Sequence, residues 1–102
     1  MSGRRLTPLT PRAGAIFAAA AKTPTGGAKR QKLLLLLAGF ADAGEESPPM
    51  RDLSKRLRMP PPAIDALLQL LERDGVVEVS WSTGPHERNR YELRLDGEGR
   101  PA

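Results

Sequence analysis

From Thr10 onward the apolar positions recur in blocks, and each change of spacing marks a new element. Ala13, Ile16, Phe17 and Ala20 sit three or four residues apart, the interval that brings side chains to one face of an α-helix. Thr10 offers a capping hydroxyl just ahead of Pro11, whose fixed φ suits a first helical position, so the pattern predicts a helix over about 11–22. "TPTGG" (23–27) has the composition of a linker. In "AKRQKLLLLLAGFADAG" (28–44), Leu33, Leu36, Leu37 and Phe40 form a core-facing stripe, and Gly44 is a stop signal. Leu34, Leu35 and Ala38 carry the apolar surface beyond that stripe. A helix apolar over so much of its circumference needs cover from two sides. Its own domain covers one. The other is left to the first helix or to a second subunit, and the pattern leaves both open.

Ser47-Pro48 repeats the device of a cap followed by a proline and opens a short helix, in which Met50, Leu53 and Leu57 face inward while Arg51, Lys55, Arg56 and Arg58 project outward. Three prolines follow, Pro60 to Pro62. Inside a helix each would remove a backbone donor and clash with the preceding turn, so they mark a break. Helical spacing resumes at once in "AIDALLQLLERDG", with Ile64, Leu67, Leu68 and Leu71 on one face and Gly75 ending the run. The period then drops to two. "VVEVSW" and "RYELRL" read as strands around "STGPHERN", with Val77, Val79 and Trp81 on one face and Tyr91, Leu93 and Leu95 on another. Trp81 and Tyr91 are expected to meet across the strands. "DGEGRPA" has the composition of a frayed end.

The expected fold is therefore mainly α with a C-terminal β-hairpin, in four segments: a basic flexible arm (1–10), an N-terminal helix and linker (11–27), a main domain (28–96) and a frayed C-terminus (97–102). The stretch from Ala28 to Leu95 resembles the winged helix-turn-helix proteins, the MarR-like and related prokaryotic regulators, preceded here by an extra N-terminal helix. The resemblance rests on Leu53 and Leu57 in the short helix, and on Leu71, Glu72, Gly75 and Val76, where the next helix runs straight into the hairpin. It implies that the proline break is part of the design, since the second helix must leave at a steep angle to enter a DNA groove. Pro61 and Pro62 then fall in the first helical turn, where N–H groups have no partner anyway, and Asp65 lies near the positive end of the helix dipole.

What the resemblance implies for contacts is specific. The groove-facing helix offers Pro62, Ala63, Ala66, Gln69 and Arg73, which makes base readout sparse: methyl contacts from the alanines and a Gln69 pairing with adenine. Phosphates are left to Arg51, Lys55, Arg56 and Arg58, and the wing tip adds His86, Arg88, Asn89 and Arg90. Arg56, Arg58, Arg88 and Arg90 are expected on one cationic edge. The opposing expectation, on the same fold, is a protein-interaction module whose proline-rich helix meets a protein and not a groove.

Composition sharpens this. The 102 residues allow one domain with a modest core. Sixteen Lys and Arg against twelve Asp and Glu give a net charge of +4, and the imbalance is local: the first 32 residues carry seven basic side chains and no acidic one. Such an arm suits a polyanion, because each neutralised phosphate releases a counterion. With no cysteine and a single histidine, His86, neither a disulfide framework nor a zinc site is expected. No Ser, His and acid set occurs at credible positions, and "TPTGGAK" lacks both the spacing of a phosphate-binding loop and a preceding strand, so no enzyme, cofactor or small-molecule substrate is expected. No apolar run approaches the roughly 18–20 residues of a membrane span. The expected place is cytoplasmic, on the nucleoid, and the expected partners are double-stranded DNA and a second copy of the chain, joined through the N-terminal helix and the helix at 33–41. The expected role is a small transcriptional regulator or an accessory factor of a mobile element or replicon.

Overall fold

The computed structural model describes residues 14–45, 47–82 and 88–102. Four helices come first: α1 (Ala15–Lys22), α2 (Ala28–Asp42), α3 (Met50–Leu57) and α4 (Pro61–Arg73). A two-stranded antiparallel hairpin follows, β1 (Val77–Ser80) and β2 (Arg90–Leu93). Mainly helical with a C-terminal hairpin is thus what the chain forms. Leu33, Leu34, Leu37, Leu53, Ile64, Leu68, Leu71, Val77 and Val79 make up its buried core. The stripes of α3 and α4 meet there, but those of α1 and α2 are turned from expectation: Phe17 is exposed and Leu36 and Phe40 are half-buried, while Leu34 and Ala38 take the core, because α1 packs on that side of α2.

The start of α1 differs from expectation. The helix begins at Ala15 and not at about 11, because Gly14 takes φ +79, a left-handed conformation that no right-handed helix can pass through. Thr10 and Pro11 lie outside the described residues. Gly14 has no side chain to cap with, and the cap comes from far away: the Asp42 carboxylate, at the last residue of α2, accepts the amides of Ile16 (3.1 Å) and Phe17 (2.7 Å). At the other end, the Gln31 side chain donates to Ala20 O at 2.9 Å. These two ties make α1 and α2 an antiparallel pair. Leu34 and Ala38 are fully buried within the single chain, so part of the surplus apolar face of α2 is covered internally.

The "TPTGG" segment is more than a spacer. Thr23 and Thr25 are buried; Thr25 Oγ1 donates within reach of Gln31 Oε1 (3.0 Å), and Thr23 Oγ1 lies 2.7 Å from Gly99 O. The C-terminus, expected to fray, folds back instead. Leu95 and Pro101 form an antiparallel bridge, Ala102 N donates to Arg94 O at 2.8 Å, and the Asp96 carboxylate accepts the amides of Glu98 and Arg100, which holds its pKa below the usual value. The resulting turn sits so close to α1 that a Cβ on Gly99 would lie 2.4 Å from Ala19 O.

In the hairpin, Val77 pairs with Leu93 and Val79 with Tyr91. Glu78 stands opposite Glu92, a repulsive pairing that Arg94 resolves by bridging both carboxylates. Trp81 does not pair with Tyr91. It lies beyond the end of β1 and is 39% exposed, because the core that would bury it has already ended.

Candidate functional site

The α3–α4 connection positions the candidate site. Helices α2 and α4 end alike: a glycine with positive φ (Gly44, Gly75) donates its amide three residues back, to Ala41 O and Glu72 O, and the next residue's amide reaches one carbonyl deeper, to Phe40 O and Leu71 O. Helix α3 ends the same way, with Met59 N donating to Ser54 O at 3.1 Å, but the left-handed position is held by Arg58 at φ 55. The Ser54 hydroxyl closes the same turn on Met59 O. Pro60 then sits at the N-cap of α4 in an extended conformation (φ −69, ψ 153) with Pro61 and Pro62 in the first turn. No side chain caps this end; the first amides, of Ala63 and Ile64, reach Pro60 O at 3.0 and 3.3 Å. The prolines thus replace a side-chain cap, as the sequence indicated. Ser47 does not cap α3, whose N-cap is Pro49. Its hydroxyl instead accepts the amide of Tyr91 at 3.1 Å, tying β2 to the α2–α3 loop.

On α4, Pro62, Ala66, Gln69 and Arg73 are all exposed and recur at helical intervals opposite the buried Ile64, Leu68 and Leu71. They form one continuous outer stripe. Ala63 lies off it and is half-buried. On α3, Arg51 and Lys55 are exposed and fall opposite the buried Leu53 and Leu57. Arg58 is exposed at the turn. Arg56 is different: its guanidinium lies over the Phe40 ring, 5.5 Å from the centroid, on the side of α3 that faces α2.

The hairpin residues are divided in role. Arg90 is exposed, opposite Ser80. Arg88 donates to Ser47 O at 2.9 Å, and the Asn89 side chain accepts the Ser82 amide at 2.7 Å, holding the hairpin together past its last ladder pair. His86 lies outside the described residues. Arg88 and Arg90 share a recess of about 310 Å³ with Glu45, Ser47 and Tyr91. Arg56 borders a separate groove, and Glu45 touches both. Of the four arginines expected on one edge, the structure brings Arg88 and Arg90 together and sets Arg56 elsewhere.

Electrostatics single out Tyr91. The Tyr91 hydroxyl is enclosed without a hydrogen-bond partner among the described residues. Burial raises its pKa, Asn89 nearby opposes this in part, and the charge of Asp65 on α4 adds to the rise. Among the described residues the ion pairs are Lys22–Glu98, Arg94–Glu78 and Arg94–Glu92. Arg51, Lys55, Arg58, Arg73, Arg88 and Arg90 therefore have no carboxylate partner among those residues. No group of three His, Asp or Glu side chains converges there to hold a metal ion, and no helix there is long and apolar enough to cross a membrane.

No protein-family model matches the chain. A search of curated proteins gives no match, and neither does a search of solved structures.

Proposed function

We propose that this chain binds duplex DNA as a small winged helix-turn-helix protein, a transcriptional regulator or an accessory factor of a mobile element or replicon. In this reading α4 enters the major groove, the β1–β2 hairpin is the wing, and affinity comes mainly from phosphates. The supporting observation is the set of exposed cations on α3, at the turn and in the hairpin that have no carboxylate partner among the described residues, flanking the outer stripe of Pro62, Ala66, Gln69 and Arg73. The small side chains of Pro62 and Ala66 let a backbone come close at the start of the stripe, and the exposed cations beside it can replace counterions. Gln69 is the side chain on the stripe suited to pair with adenine, and the Ala66 methyl suits thymine. Readout is correspondingly sparse, with shape contributing the rest.

Fluorescence anisotropy on labelled duplexes across a salt series tests this. Arg51→Ala and Lys55→Ala are expected to weaken binding about equally on all sequences and each to lower the salt slope by about one. Failure of every duplex to bind at low salt overturns the reading. It would favour a protein-interaction module, for which the specific observation is an exposed Trp81 on the same chain as the exposed Pro61 and Pro62.

A further inference from the structure

A groove of about 580 Å³ runs between α1, α2 and α3, remote in chemistry from the cationic stripe. Its apolar wall is Phe17, Leu35, Leu36, Phe40 and Leu57. Phe17 is 45% exposed although its backbone is fixed by the Asp42 cap, and Leu35, Leu36 and Phe40 are only half-buried. This is the part of the five-leucine run that α1 does not cover. Its margin carries charges of both signs: Lys32 and Arg56 on one hand, Glu45 on the other.

We infer that a second copy of this chain docks here about a two-fold axis, Phe17 of each copy packing against the apolar wall of the other. The mixed margin selects this occupant. A basic segment would meet Lys32 and Arg56, and an acidic one would meet Glu45. A two-fold mate presents the same protruding phenylalanine and the same wall, and sets Glu45 of each copy against the opposite cations of the other, which is the self-complementarity that an isologous interface demands. Arg56, already held over Phe40, then belongs to this margin and not to the phosphate set. The inference is independent of DNA binding and stands or falls on self-association alone.

Sedimentation equilibrium from low to several hundred micromolar is the measurement. The wild-type chain is expected to dimerise, and Phe17→Lys, at an exposed site, to weaken the dimer about tenfold or more. Glu45→Lys and Arg56→Glu each place like charges across the interface and are expected to weaken it; mixing the two variants pairs opposite charges at both contacts and is expected to restore it. A dimer indifferent to all of these forms elsewhere and overturns the inference. So does a wild-type monomer throughout the range. Anilinonaphthalene sulfonate bound by that monomer and lost in Phe17→Lys would mean that the groove takes a small apolar ligand, whereas no dye binding would mean that it is covered from within the chain.

Discussion

Arg58 occupies the one backbone position in the described residues where a side chain other than glycine takes a positive φ. A left-handed L-residue costs about 1–2 kcal/mol, while glycine in its place adds back roughly 0.4–1 kcal/mol of unfolded-state entropy. Arg58→Gly is therefore expected to raise stability by about 0.5 kcal/mol, seen as a higher urea midpoint with an unchanged slope. If Arg58 holds a phosphate, the same change weakens duplex binding, so stability and affinity move in opposite directions. The sequence marks the break at this point through its prolines, but not the conformation that makes it: Gly44 and Gly75 announce their turns, and an arginine announces nothing. Ser47 misleads in the opposite sense, since a serine before a proline looks like a cap whether or not a strand amide claims its hydroxyl first.

Elements were legible wherever one face is apolar. The stripes Leu53–Leu57 and Ile64–Leu68–Leu71, the stops at Gly44 and Gly75, and the period-two strands all follow from local spacing. What joins the elements was not legible, because the partners are distant in the chain. Asp42 caps a helix that begins 27 positions before it, and nothing around either residue signals the other. Asp42→Ala is expected to cost about 1 kcal/mol, the usual worth of an N-cap with its dipole interaction, and to speed hydrogen exchange at Ile16 and Phe17 before the rest of the core. An unchanged exchange rate at those two amides would remove the cap from the account. The Trp81 expectation failed for a related reason: alternation predicts a side of the sheet, not where the core beneath it ends.

For the whole molecule, Tyr91 links sheet, α4 and loop, and it makes global stability depend on pH. Its folded pKa is raised above the usual 10.0, by burial first and by Asp65 in addition. The folded state then holds the phenolic proton where the unfolded chain has released it, so the contribution is constant below pH 10.0 and stability falls as pH rises beyond that value. Tyr91→Phe is expected to remove this alkaline decline, measured as urea midpoints between neutral and alkaline pH. The candidate site was legible as a list of cations, because residue types are read directly from the sequence. Its division was not, since the Phe40 ring under Arg56 and the Ser47 carbonyl beside Arg88 come from other elements.

The turn at Gly99 carries a kinetic implication. Thr23 and Gly99 are 76 positions apart yet share a 2.7 Å contact, and the space between them admits no side-chain carbon. During synthesis α1 emerges before residues 96–102, and that flank stays bare until those residues have left the ribosome. Closure of this flank thus waits for that distant segment, and truncation before residue 96 would leave α1 half-dressed and open to proteolysis.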